Sequence, residues 1–432
     1  MDDILNPRSY ILRHTSLVLD PTSSIRWVQN QLICVKIPSM ISKNAGKKVL
    51  VALSGGVDSS VAALLLKTAG YQVEGAYMRC WSSGAYCTTD TDQADAIKVA
   101  SKLEIPFHVF DYERQYKQKV IDYFFSEYAR GRTPNPDVMC NKEIKFGLFL
   151  EEAQKRSFDY VATGHYARVH MFDRGSKMDD VNGHKSKIIN HRSGDGLLTG
   201  LDHQKDQSLE KFRLFAGLDR EKDQSYFLYK LGQKQLAKAI FPLGRLTKIE
   251  VRKLAKKFGL PTADKKDSTG ICFVGPANIR ELLLNKISSK EGEIVDVNGE
   301  VLGKHIGLPF YTIGQREGLG ISKNVPYYVA GKDETSNKLI VVPFGHKALF
   351  KKSFFAEKAD WIDGRGPKLP QKLEVKLRYR ANNVLATVKT TLPGRLLVSL
   401  EKPQRAITPG QAAVFYKGNE LIGGATVTSV VD

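Results

Sequence analysis

The chain has 432 residues, enough for two or three domains with a sizeable core, and its 42% hydrophobic and 26% charged fractions are those of a globular protein. No apolar run approaches the ~20 residues of a membrane-spanning helix, which excludes an integral helical membrane protein. Lys and Arg number 65 against 46 Asp and Glu, a formal charge of +19 that suits a polyanionic partner because phosphate contacts release counterions.

Residues 1–46 lack clear periodicity and carry acids at Asp2 and Asp3, so they fit a presequence poorly and are read as a leader outside the fold. Met40 stands just before the first strand as an alternative start. From Lys48 the pattern changes: KKVLVAL is a buried strand, SGGVDSS a turn, and VAALLLKTA a helix closed by Gly70. YQVEGAYM reads as a strand, DQADAIKVASKL as a helix, FHVFDY as a strand, YKQKVIDYFFSEYA as a helix and FDYVATGHYARV as one further strand. Strands alternating with helices predict a doubly wound parallel α/β sheet.

Residues 170–210 are polar and read as an inserted loop. Four of the nine histidines (His170, His184, His191, His203) fall there without metal-ligand spacing, which predicts solvated side chains. QSYFLYKLGQKQLAKAI and TKIEVRKLAKKFG are predicted helical. The first domain is taken as 47–278, followed by a small β-rich domain over 279–346. Short apolar runs over 347–432, with 15 basic and 7 acidic side chains, predict a basic β-barrel suited to gripping RNA.

The strongest local signal is SGGVDSS, set between a strand and a helix. Gly55 and Gly56 permit a tight turn that brings backbone N–H groups against phosphate oxygens, and the helix adds its positive dipole end. Ser54, Ser59 and Ser60 supply hydroxyl donors, and Asp58 is a candidate to hold Mg²⁺ at the phosphates. The pattern is not the GxxxxGK[ST] of a P-loop kinase or GTPase. It resembles the loop of the PP-loop ATP pyrophosphatases, which adenylate a substrate. That resemblance implies ATP contacts along Ala52, Leu53, Ser54, Gly55, Gly56, Val57, Asp58 and Ser59, with Met78 on adenine and Gly164 lining the pocket.

The five cysteines are odd in number and contain no CxxC, which argues against a disulfide scaffold and against tetrahedral zinc. Cys140 lies in TPNPDVMCNKEIKFG and Cys272 in DSTGICFVG, segments whose Pro, Gly, Asn and Asp content predicts shaped loops rather than helix interior. Lys142, Lys145, Lys265 and Lys266 nearby favour thiolate.

The segments SGGVDSSVAA, TPNPDVMCNKEIKFG, ATGHYAR, KDQSYFL, KKDSTGICFVG, TIGQREGLG and TPGQAAVFY follow one another as in the tRNA-specific 2-thiouridylases, and the chain resembles that family over about residues 47–432. The resemblance implies adenylation of O2 of the wobble uridine (position 34) of tRNA by ATP and Mg²⁺, then displacement of AMP by sulfur. It makes Cys272 the persulfide carrier and Cys140 the nucleophile that releases sulfide or closes a disulfide with Cys272. Asp137 assists proton transfer. Asn135, Pro136 and Asp137 would contact the target base, and His165, Lys222, Asp223, Gln224, Arg378, Tyr379 and Gln411 the tRNA. Cys34, Cys80 and Cys87 fall outside these segments and are read as structural or incidental.

Sulfur is expected from a persulfide donor or relay protein fed by a cysteine desulfurase, with no membrane partner. Cys140, Cys272 and Asp137 would also serve as iron–sulfur ligands, an alternative the residues leave open. Two rival functions are an amidotransferase-type ligase, against which no glutaminase segment is present, and a non-catalytic RNA-binding protein, against which the loop and both cysteines are intact. The cytoplasm is the expected compartment, with the mitochondrial matrix as the alternative if the leader is a transit peptide.

Overall fold

The computed structural model describes residues 44–81, 89–172, 211–267, 279–288, 290–321 and 323–431. Cys34, Cys87, Cys272 and most of the 170–210 segment lie outside them. The apolar runs of the first half form a parallel sheet of β1 (Lys48–Ala52), β2 (Gln72–Arg79), β3 (Phe107–Asp111), β4 (Tyr160–Ala162) and β7 (Ala239–Ile240), in the order β3-β2-β1-β4-β7. The chain steps outward from β1 through β2 to β3 and then crosses back to place β4 on the other side of β1. Ligands of open parallel sheets bind at such a reversal, outside the carboxyl ends of the strands. Val49, Leu50 and Val51 of β1 are fully buried, as expected of a central strand covered on both faces.

A second sheet joins β8 (Gly292–Val295), β9 (Val301–His305), β10 (Tyr327–Asp333) and β11 (Lys338–Pro343) in the order β10-β11-β8-β9. The last six strands are β12 (Phe350–Trp361), β13 (Gln371–Lys376), β14 (Val384–Leu392), β15 (Arg395–Arg405), β16 (Ala412–Lys417) and β17 (Glu420–Val431). They close into an antiparallel barrel through β12–β17 pairing, around Phe354, Val375, Val388, Val398 and Phe415. A hairpin of β5 (Ala167–Phe172) and β6 (Lys211–Ala216) extends the barrel sheet, with Leu214 opposite Leu421 of β17.

Several local expectations change. FDYVATGHYARV is two strands in two sheets, broken at 163–166, because the chain turns there to bring Gly164 against the nucleotide loop. QSYFLYKLGQKQLAKAI is not one helix but a 3₁₀ turn (Ser225–Leu228), a single helical turn (Gln233–Leu236) and the edge strand β7. Cys140 lies inside a helix over 136–155, where Asn135 accepts from the Val138 amide at 3.3 Å and Pro136 takes the first helical position. The stretch Cys140–Leu148 of that helix is π-helical, a departure common at functional sites. His170 sits in β5 with its ring on Phe215 rather than in a solvated loop.

Candidate active site

β1 delivers the loop directly to the sheet reversal. Gly55 has φ +72°, and a Cβ there would lie 2.3 Å from the Asp92 carbonyl oxygen, so only glycine fits. Ser59 Oγ accepts from the Ser54 amide (3.1 Å) and donates to the Gly56 carbonyl (3.1 Å), while Ser60 Oγ donates to the same carbonyl (2.8 Å). These bonds fix the turn at the N-terminus of the helix Val57–Thr68, the end that attracts anions. Gly164, in the turn after β4, packs so closely that a Cβ would lie 2.8 Å from the Ser59 amide nitrogen. Ala52 and Leu53 are buried beneath the loop, and Met78 is half-buried near the end of β2.

Asp58 does not present itself as a metal ligand. Its Oδ1 accepts from the Tyr166 hydroxyl (2.8 Å) and from Lys248 Nζ (2.7 Å), and Lys248 also reaches Oδ2 at 2.8 Å. A carboxylate committed on both oxygens does not fit the site expected to hold Mg²⁺. Among the described residues no group of three or more His, Cys, Asp or Glu is placed to hold a metal ion.

Lys248 was not singled out by its sequence. It opens the helix Lys248–Lys257, whose Thr247–Glu250 capping box was legible in TKIE, and also pairs with Asp267 at 2.9 Å. Burial alone would raise the Asp267 carboxyl, but hydrogen bonds from Lys222 and Lys248 outweigh it and hold the group well below the ordinary range. Lys265 bonds Asp92 and Asp95 at 2.7 Å each.

Cys140 is buried in one apolar cluster with Ala52 of β1 and Phe110 of β3. The segment before it is held by the barrel. The Thr133 amide donates to the Pro409 carbonyl (2.9 Å), and Gln411 Nε2 donates to the carbonyls of Thr133 (2.9 Å) and Pro134 (3.3 Å). Asn135, Pro136 and Asp137 therefore stand between the barrel loop and the buried thiol.

Most residues expected to touch tRNA are bonded within the protein. Lys222 holds Asp267 (2.8 Å). Asp223, 4% exposed, accepts from the Gly217 and Ser225 amides and pairs with Lys376 of β13 at 3.2 Å. Gln224 accepts from the Tyr166 amide at 3.1 Å. His165 is buried beside Phe146 and Phe241, its Nδ1 2.7 Å from Thr163 Oγ1, and burial holds its pKa well below the usual value. Arg378 donates to the carbonyls of Ile313 (3.3 Å) and Ala406 (2.8 Å), joining the central domain to the barrel. Tyr379 is half-buried against Phe227, with ring centroids 4.7 Å apart.

Known proteins share this arrangement of chain. The tRNA methyl transferase HUP domain family matches residues 47–210 and 188–276, the tRNA methyl transferase PRC-barrel domain family 280–343, and the aminomethyltransferase β-barrel domain family 351–427. A tRNA-specific 2-thiouridylase of Geobacillus kaustophilus is 44% identical over 388 residues, covering 89% of this chain and 95% of that one. The chain belongs to the tRNA-specific 2-thiouridylase family. A second relative with that name, from Hydrogenovibrio crunogenus, is 42% identical over 394 residues, again covering 89% of this chain and 95% of its own length. A solved 4-thiouridine synthetase–RNA complex with bound ATP is 14% identical, with a TM-score of 0.30 and coverage of 56% of this chain and 50% of that one, too slight a likeness to argue from. Family membership makes the chain a tRNA sulfurtransferase of the PP-loop ATP-using class. Among the described residues no helix is long and apolar enough to cross a membrane.

Proposed function

We propose that the chain uses ATP to activate the wobble uridine of tRNA and exchanges its O2 for sulfur, yielding 2-thiouridine, AMP and pyrophosphate. The observation that carries this reading is that one buried cluster ties Cys140 to the strand feeding the nucleotide loop, while the barrel holds Thr133 and Pro134 just before the cysteine's helix. O2 of uracil attacks the α-phosphorus of ATP, and the bond to the β-phosphate breaks to release pyrophosphate at the loop. The terminal sulfur of a Cys272 persulfide then attacks C2, and AMP departs with the C–O electron pair. The Cys140 thiolate attacks Sγ of Cys272 and breaks the S–S bond, leaving 2-thiouridine and a Cys140–Cys272 disulfide that an external thiol reduces. Asp137 assists proton transfer at the base.

We read Asn135, Pro136 and Asp137 as the base contacts, and Tyr379 and Arg378 as the edge of the RNA path. A persulfide-bearing protein fed by a cysteine desulfurase would load Cys272, and the cytoplasm is the proposed compartment. The test is nucleoside mass spectrometry of tRNA incubated with Mg-ATP and a persulfide donor, comparing wild type with Cys140→Ser and Cys272→Ser. The reading expects 2-thiouridine from wild type alone. ATP cleavage to AMP without thiolated uridine would overturn it, and formation only by anaerobic, iron-loaded protein would replace the persulfide route.

A further inference from the structure

TIGQREGLG is a loop of the central domain, and it lies where all three domains meet. Gly314 has φ +84°, and a Cβ there would lie 2.5 Å from Ala406 Cβ of the barrel, so only glycine lets the loop close on that domain. The Gln315 side chain accepts from the Thr312 amide at 2.9 Å. The Gly314 amide donates to the Val329 carbonyl (2.7 Å) and the Val329 amide to the Gln315 carbonyl (3.0 Å), which pins the loop to β10.

The loop so fixed presents Thr312 to the first domain, its Oγ1 3.1 Å from Thr133 Oγ1. Beside it, Lys332 of β10 donates to the Gly131 carbonyl at 2.9 Å. Gly131, with φ +71°, ends the helix Asp122–Ala129. Burial pushes the Lys332 amine down to about 8, with Glu334 opposing, so a partly desolvated cation is spent on this one carbonyl.

Adhesion between the two domains does not need these bonds. Phe124 and Tyr128 of the same helix already pack with Leu308, Phe310 and Tyr311 of the central domain in one buried cluster. The two polar contacts lie beyond it, on the stretch that continues into Asn135 and Cys140. Thr133 is held by both accessory domains, its side chain by Thr312 and its amide and carbonyl by Pro409 and Gln411. Apolar packing is non-directional and keeps the domains together, whereas hydrogen bonds fix where the stretch lies.

We infer that Thr312 and Lys332 are positioning residues of the thiolation step: from the central domain they set the turn 131–134 and, through it, the helix that carries Asp137 and Cys140. The inference rests on the reading of Asn135–Cys140 as the active segment.

The test compares the full chain with the double variant Thr312→Val, Lys332→Met, which keeps both shapes and removes both polar groups. Two hydrogen bonds of ordinary net worth, lost together, predict about a tenfold fall in kcat for 2-thiouridine formation. The KM for tRNA and the calorimetric affinity for AMP should stay within about twofold, and the pair Thr312→Ser, Lys332→Arg should recover most of the rate. Wild-type kcat in the folded double variant overturns the assignment. So does a loss carried by KM, which would mark an RNA contact, or an equal loss of AMP affinity, which would mark a loosened fold.

Should the double variant not fold, the two single variants decide: each should lose about threefold in kcat, and wild-type rates in both overturn the inference. Hydrogen exchange gives a readout independent of activity. Amides over 131–135 should exchange faster in the variants than in the wild type, while those over 49–60 do not change. A wild-type protein that makes no 2-thiouridine would refute the thiolation reading. The exchange result would then still separate the two, since faster exchange at 131–135 supports the positioning role and equal exchange overturns it.

Discussion

Gly410 offers the sharpest perturbation, because it stands where the barrel touches the segment leading to Cys140. Its φ is +93°, outside the range of side-chain-bearing residues, and an added Cβ would lie 2.8 Å from both the amide nitrogen and the carbonyl oxygen of Thr133 and 3.0 Å from Arg132 Cβ. Backbone strain in Gly410→Ala contributes about 1–2 kcal/mol. Relieving the contact needs a shift of several tenths of an ångström and costs about 1–3 kcal/mol more. The shift falls on residues 132–134, since Thr133 is bonded to Pro409 and Gln411 on the same loop.

The nucleotide loop shares none of these contacts. Gly410→Ala should therefore lower the melting temperature and cut thiolation about tenfold, below the ~100-fold that accompanies a displacement of reacting groups by about 1 Å, while AMP affinity stays at the wild-type value. Gly394→Ala is the control: φ there is +77°, but a Cβ would meet nothing within 4 Å. It should cost only the strain of about 1 kcal/mol and leave thiolation unchanged. Wild-type turnover by a destabilised Gly410→Ala protein would refute the idea that this contact sets the active segment.

Gly55→Ala places a methyl 2.3 Å from the Asp92 carbonyl oxygen and should weaken AMP and ATP by at least about tenfold in calorimetry, with the barrel's thermal transition preserved; wild-type affinity would contradict the loop geometry. Asp223→Ala strands Lys376 and two amides, and should cost about 3–5 kcal/mol in urea unfolding while the folded fraction keeps its tRNA affinity. Lost tRNA affinity without lost stability would restore Asp223 as an RNA contact. His170 is pushed down to about 4 by burial and by Arg245 and Arg168. A folded-state value below the ordinary 6.5 means stability fully present above about pH 6.5 and lost as pH falls toward 4. His170→Gln should remove about 1–2 kcal/mol of that dependence after allowance for solvent screening; a wild-type-minus-variant difference that is flat from pH 7.5 to 4 would contradict it.

What was legible in the sequence is what neighbours along the chain determine. β1, β2 and β3 are apolar runs joined by helical periods, and SGGVDSS needs only its own glycines and the helix after it to be read as a phosphate turn. What was hidden depends on contacts across the fold. The break at Gly164 answers to the Ser59 amide, 105 positions earlier, and no periodicity carries that information. Lys222, Asp223 and Gln224 are read as tRNA contacts and QSYFL as helix, yet Asp223 turns inward to Lys376, Ser225 Oγ lies 3.0 Å from the Tyr416 hydroxyl, and the Tyr226 hydroxyl donates to the Ala412 carbonyl at 3.0 Å. Asn135 and Pro136 were legible as a helix start but were read as loop residues, so Cys140 was placed outside the helix that buries it. Lys248 shows the same limit: TKIE gives its helix, but not the side chain's direction.

These inward contacts change what the barrel is. A basic barrel after a nucleotide-binding domain reads as a grip for RNA, separable from the chemistry. Here the β5–β6 hairpin of the first half is part of the barrel's own sheet. Asp223, Ser225 and Tyr226 are satisfied by barrel residues, the Tyr226 hydroxyl donating to the Ala412 carbonyl, while Gln411 of the barrel holds Thr133 and Pro134 just before the helix that carries Cys140. Each buried polar group left without its partner costs about 1–3 kcal/mol, and removing the barrel orphans several at once around one catalytic segment. A grip appended to a finished enzyme would meet it through exposed, salt-screened side chains. This barrel meets it through buried hydrogen bonds and a glycine contact too close for a methyl group, and so forms one wall of the proposed active site.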